Sequence, residues 1–185
     1  MRTTYLLSVL AIALLAIACT PQGTESPDGS SGEEPTVWII GDSIAVAASN
    51  ELAQAIPGVV IDAVAGRQFR QGPAVLEKML TVGEGPDILI VALGTNGPVD
   101  DGHVDEIVAL AGDARIVFVN VNVPRDWELE VNEALLGAGR RHGATIVDWK
   151  TIAVADQSLL RSDGYHPSAD GVGAWATAIA DALRG

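Results

Sequence analysis

The chain has 185 residues, 11 Lys and Arg against 24 Asp and Glu, a formal net charge of −13 at pH 7, and one cysteine. No clustered run of Lys and Arg could track a phosphate backbone, which excludes nucleic acid as a partner. Adhesion to an anionic lipid face through the protein's own charge is disfavoured for the same reason. A lone cysteine makes no disulfide within the chain, so an exported domain must stand on its apolar core, which ~150 residues are enough to build.

The first stretch reads as targeting rather than fold. Arg2 gives a positive start, and Tyr5–Ala18 is apolar except for Ser8. As a helix that run spans ~21 Å, short of the ~30 Å hydrocarbon core, so it fits a secretory signal better than a membrane span. It ends in small residues directly before Cys19. Leu15-Ala16-Ile17-Ala18-Cys19 resembles a bacterial lipobox, although Ala16 stands where Leu is usual. The resemblance implies a lipoprotein signal peptide over 1–18, with Cys19 as the lipidated first residue of the mature protein. The bland alternative is an ordinary cleavable signal with an incidental cysteine. Residues 19–35 are then the lipidated cysteine and its tether. Thr20–Pro35 is rich in Pro, Gly, Ser and acidic residues and has no apolar anchor, so it is predicted to be disordered, with a reach of ~20–25 Å. The folded domain is expected over 36–185.

Within that domain apolar, β-rich runs alternate with helical patterns. Strands are predicted at Thr36–Ile40, Val59–Val64, Asp87–Leu93, Arg115–Val121 and Ala144–Asp148. Ile88 to Leu93 is apolar on both faces, as a central strand of a parallel sheet must be. Helices are predicted at Ile44–Ile56, Pro73–Thr81, Val104–Ala111, Trp127–His142 and Ser168–Leu183, with a shorter one at Thr151–Ala155. Strands alternating with helices imply right-handed βαβ units and a single α/β/α sandwich on a five-stranded parallel sheet. In such sheets ligands bind outside the carboxyl ends of the strands. Gly41-Asp42-Ser43, Ala65-Gly66-Arg67 and Gly94-Thr95-Asn96-Gly97 follow strands one to three, and Asp163 and His166 precede the last helix. Four segments thus converge on one edge.

Each segment has a bland reading and a chemical one. Ser43 and Asp42 could simply cap a helix, or Ser43 could present its hydroxyl where N–H groups favour negative charge. Asp163-Gly164-Tyr165-His166-Pro167 could be a polar turn, or a base with its orienting carboxylate. Asn96 could serve a turn, or donate from its side chain to an oxyanion together with the backbone N–H groups of Gly66 and Ser43. Arg67, Arg125 and Trp127 could flank a carbohydrate or belong to the scaffold. His103 and His142 read as solvated, and no His/Asp/Glu group has metal-ligand spacing.

Gly41-Asp42-Ser43, Gly66, Gly94-Thr95-Asn96 and Asp163-x-x-His166-Pro167 together resemble the four sequence blocks of the SGNH (GDSL-like) hydrolases. The resemblance covers residues 37–183. It implies a flavodoxin-like sheet, Ser43 as nucleophile, His166 as base, Asp163 as its orienter, and an oxyanion hole from Ser43 N–H, Gly66 N–H and Asn96. It implies no metal or organic cofactor. Asp62–Gln68, Ala92–Gly97 and Val121–Glu128 look like the extracytoplasmic SGNH domains of cell-wall O-acetyltransferases, in which the domain is usually fused to a multi-span membrane acyltransferase. The sequence reading gives this chain a lipid anchor instead. Ile44-Ala45 also departs from the Ser or Thr frequent after the block-one serine.

The expectation is therefore an extracytoplasmic, membrane-anchored serine esterase or acyl-transfer enzyme acting on O-acyl, above all O-acetyl, groups of carbohydrate. One alternative is a cell-wall glycan O-acetyltransferase that receives its acyl group from a membrane partner protein. Another, from a different class, is a non-catalytic glycan-binding lipoprotein; a broken triad would be its signature, and Ser43, His166, Asp163 and Asn96 are all present.

Overall fold

A computed structural model of the protein describes Met1 and residues 34–185; the predicted signal peptide, Cys19 and the tether up to residue 33 lie outside the described residues. Five strands form its centre: β1 (Val37–Gly41), β2 (Val60–Ala63), β3 (Ile88–Ala92), β4 (Arg115–Val119) and β5 (Thr145–Val147). All pairings are parallel, in the order β2-β1-β3-β4-β5. The chain leaves β2, crosses back over β1 and enters the sheet as β3. The carboxyl ends of β1 and β3 therefore flank the point where the winding reverses, where open α/β sheets hold their ligands.

Seven helices complete the described residues: α1 (Ser43–Ala47), α2 (Ser49–Ala55), α3 (Gly72–Leu80), α4 (Asp101–Ala111), α5 (Glu128–His142), α6 (Trp149–Ala155) and α7 (Ala169–Arg184). Alternation along the strands feeds two cores. Ile39, Ile90 and Val117 face one side, with Leu52, Trp149, Trp175 and Ile179 from α2, α6 and α7. Ile40, Leu89, Val91 and Phe118 face the other, with Leu76, Ile107 and Leu135 from α3, α4 and α5. This is the expected α/β/α sandwich on a five-stranded parallel sheet. None of the described helices is long and apolar enough to cross a membrane.

The expected helix over 44–56 is two helices. The Ala48 N–H is shared between the carbonyls of Ile44 and Val46, and the Ser49 hydroxyl also donates to Val46 O at 3.0 Å, which closes α1 and lets α2 start afresh. Helix α4 starts at Asp101, ahead of the expected Val104, because Asp100 caps it through a 2.7 Å bond from Gly102 N–H. Two single-turn 3₁₀ segments, Phe69–Gln71 and Gln157–Leu159, occupy stretches read as loop.

Candidate active site

At the end of β1 the chain turns sharply into α1. A Cβ on Gly41 would lie 2.3 Å from Ala45 Cβ, so only glycine allows this approach. Asp42 caps the helix, its Oδ1 accepting from Ile44 N–H at 3.0 Å. Ser43 is the first helical residue, so its N–H has no intrahelical partner. Its half-buried hydroxyl lies 3.0 Å from His166 Nε2.

On the other side of the ring, His166 Nδ1 lies 2.9 Å from Asp163 Oδ2. Asp163 Oδ1 accepts two backbone bonds, from Tyr165 N–H at 3.1 Å and His166 N–H at 2.9 Å. Partial desolvation pushes the Asp163 carboxyl up, but the Tyr165 N–H, the imidazole and the His166 N–H together outweigh it and bring the group down from 3.8 to about 2. An ionised Asp163 only accepts, so the ring proton belongs on Nδ1 and Nε2 is left free to accept from Ser43. The Tyr165 ring packs on the imidazole, with centroids 4.2 Å apart.

The loop carrying both residues is tied at its neck. Arg161 N–H donates to His166 O at 2.8 Å, Leu160 bridges Pro167, and Arg161 Nε donates to Pro167 O at 3.0 Å. Gly164 takes a positive φ of +79° at the tip, and its carbonyl accepts from Asn122 Nδ2 at 2.9 Å. Asn122 was not singled out by the sequence reading. Its signal is there in retrospect: a side-chain amide between two buried valines at the end of β4.

The turn after β2 follows the strand that pairs with β1. Gly66 adopts φ +79°, and its N–H finds no acceptor among the described residues. Asn96 comes from the turn after β3, between Gly94 at φ +125° and Gly97 at φ +145°. Its Nδ2 lies 3.3 Å from Asp42 Oδ2 and 3.2 Å from Arg67 O. Both bonds are long, and donation to an oxyanion would require the amide to release one of them. Asp42 is 1% exposed. Burial raises its pKa, against the lowering effect of the Ile44 N–H, Thr95 and the nearby His166. Buried Thr95 is a second polar residue that the sequence reading left without a part.

The three residues weighed as glycan contacts separate. Arg67 is 8% exposed and spends its guanidinium on Gly41 O at 3.2 Å and on the Asp62 carbonyl and carboxylate, each at 2.5 Å. It is a brace between the ends of β1 and β2, because a guanidinium can hold several carbonyls from one fixed plane. Trp127 packs half-buried on the core beneath α5, its Nε1 enclosed without a partner. Arg125 is exposed beside a separate cavity. His142 bonds Asp105 at 2.7 Å, away from Ser43.

The structure thus brings Ser43, His166, Asp163, Gly66 and Asn96 to one edge, at the end of β1 and its neighbours. Solved structures share this arrangement of strands and helices. The C-terminal catalytic domain of peptidoglycan O-acetyltransferase A (OatA) from Streptococcus pneumoniae superposes with a TM-score of 0.72 at 22% identity, covering 80% of this chain and 92% of that one. Other neighbours are a candidate SGNH hydrolase from Slackia heliotrinireducens, with a TM-score of 0.66 at 19% identity, and a member of the lipolytic G-D-S-L family from Veillonella parvula, with 0.65 at 16%. The domain has the SGNH-hydrolase fold. Among sequence relatives, YrhL of Bacillus subtilis, a candidate peptidoglycan O-acetyltransferase, is 32% identical over 149 residues, 80% of this chain. The peptidoglycan O-acetyltransferase OatA of Listeria monocytogenes is 28% identical over 168 residues, 87% of this chain. These homologues are much longer: the matches cover 24% and 27% of their lengths. No protein-family model matches the chain.

Proposed function

We propose that the protein is a serine-dependent enzyme of O-acyl chemistry, an esterase or acyltransferase acting on O-acetylated carbohydrate. The observation that carries the reading is the unbroken relay from Ser43 Oγ to His166 Nε2 at 3.0 Å and from His166 Nδ1 to Asp163 Oδ2 at 2.9 Å. Ser43 attacks the ester carbonyl while His166 takes its proton, and Asp163 stabilises the imidazolium. The negative charge on the carbonyl oxygen meets the N–H groups of Ser43 and Gly66 and the amide of Asn96. Collapse expels the sugar alkoxide, which takes the proton from His166 and leaves an acetyl-Ser43. His166 then deprotonates the acceptor, and the acetyl passes to water or to a sugar hydroxyl.

The names of the sequence relatives favour a cell-wall glycan and transfer. In that version a membrane partner protein supplies the acyl group, and the lipid at Cys19 holds the domain outside the cell membrane. The test compares the protein and its Ser43→Ala variant on an activated acetyl ester. Wild-type turnover, loss of most of it in the variant, and a serine-directed phosphonate on the Ser43 peptide are expected; equal turnover by both ends the serine mechanism. Adding xylan or peptidoglycan oligosaccharide as acceptor separates the routes, since transfer makes acetylated sugar and hydrolysis releases only acetate.

A further inference from the structure

Beside the loop Arg161–His166 lies a cavity of about 620 Å³, walled in part by Ser162 and Gly164 of that loop. Its charged lining is Arg125, Lys150 and Arg161 against the single carboxylate of Glu128. Glu128 is already committed: one oxygen accepts from Val123 N–H at 2.6 Å and the other pairs with Lys150. Lys150 and Glu128 therefore neutralise each other, and two guanidinium groups remain. Arg125 makes only a 3.3 Å bond to the carbonyl of its neighbour Pro124. Arg161 uses Nε on Pro167 O, and its two Nη atoms find no protein acceptor among the described residues. In a chain of net charge −13, whose overall field repels anions, a cavity with two open donor forks and no free carboxylate is a local exception.

We infer that this cavity is a subsite for the carboxylate of an acidic oligosaccharide, a hexuronate or similar sugar acid on the chain that bears the ester. The inference rests on the reading above and narrows its substrate class. A guanidinium fork matches the two oxygens of a carboxylate in geometry and in charge. On the O-acylated glycan of the reading above, the group of that shape is the carboxylate of a sugar acid. The larger cavity near α4, of about 780 Å³, does not suit an anion. Its Arg70 and Arg140 stand beside four carboxylates, Asp100, Asp101, Glu130 and Glu133, and its Arg141 is paired with Asp101 and Asp105. The acidic-sugar subsite shares its wall with the loop that carries His166. Asn122, which lines the cavity, fixes that wall through Gly164 O.

The experiment titrates the full-length Ser43→Ala protein with trigalacturonic acid, with neutral galactotriose and with inorganic phosphate, by calorimetry and by amide chemical shifts. The acidic trisaccharide is expected to bind about tenfold more tightly than the neutral one, as for a partly exposed charge-assisted contact. Raising salt should erode the difference, and shifts should appear at Arg125, Arg161 and Gly164. Arg125→Glu should abolish the preference; its side chain touches only a neighbouring carbonyl, so an unchanged melting temperature is expected alongside. Equal affinities for the two sugars, a preference that survives Arg125→Glu, or tighter binding of phosphate would each overturn the subsite. Because Ser43→Ala does not turn over, these outcomes leave the nucleophile untouched. Equal esterase rates in the earlier comparison would remove the nucleophile without touching the subsite.

Discussion

Two carboxylates stand near His166, and their surroundings drive them in opposite directions. Desolvation, the largest single effect on Asp163, raises it, but its three hydrogen bonds together bring it to about 2, whereas burial pushes Asp42 above 3.8. A depressed carboxyl adds stability that is present above its unfolded value near 3.8 and is lost as pH falls through about 2. Asp42 has the opposite sign: its share is full below 3.8 and lost as pH rises through its folded value. Melting temperatures measured between pH 5 and 2 should therefore fall more steeply for the wild type than for Asp163→Asn. Asp42 also tests how Asn96 is aimed. In Asp42→Asn one oxygen can still cap α1, but an amide NH₂ then faces the NH₂ of Asn96, donor against donor. Turnover should drop by up to about 10²-fold, the scale of a lost oxyanion contact, with little change in melting temperature. That Ser43, Asp163 and His166 would meet at one edge was legible in sequence because each lies beside a strand or helix end, while the roles proposed for them came from the resemblance of their motifs to a known family. Arg67 was not, since a buried clamp and a surface ligand look alike until the partners Gly41 and Asp62 are brought to it.

Among the elements, α7 is seated by one glycine against the segment that leads into the His166 loop. Its first turn passes directly under the 3₁₀ segment Gln157–Leu159: a Cβ on Gly171 would sit 1.9 Å from Leu159 O. Gly173, two residues on, has open space around it. Gly171→Ala must push α7 off that carbonyl and should cost about 1–3 kcal/mol, as overpacking does. Gly173→Ala should instead stabilise by roughly 0.5–1 kcal/mol through helix propensity alone. Denaturant midpoints for the two variants give this sign reversal directly. Both glycines look identical in sequence, and only tertiary contact separates them. The strands were the most legible part: Ile88–Ala92 announces itself by being apolar on both faces. The break at Ala48 was not, because no Gly or Pro marks it and the deciding bonds are a shared N–H and one serine hydroxyl.

At the scale of the molecule, the reversal between β1 and β3 gathers residues that the chain keeps far apart. Ser43 and His166 are 123 positions distant, and Asp42 and Asn96 are 54. Alternation of strands and helices gave the layers; the strand order depends on which distant edges pair, and local pattern carries little of that. One consequence follows for the exposed turn between α3 and β3, where Val82 is 85% accessible. A cut there leaves Ser43, Gly66 and Arg67 on one piece and Asn96, Asp163 and His166 on the other, so neither half holds the whole of the proposed reaction centre. Mixed, the two pieces can recover turnover only by zipping β1 against β3 in the register Val37 to Ile88 through Gly41 to Ala92. Ester hydrolysis would then serve as an optical reporter of strand reassembly, silent in each fragment and switched on by complementation.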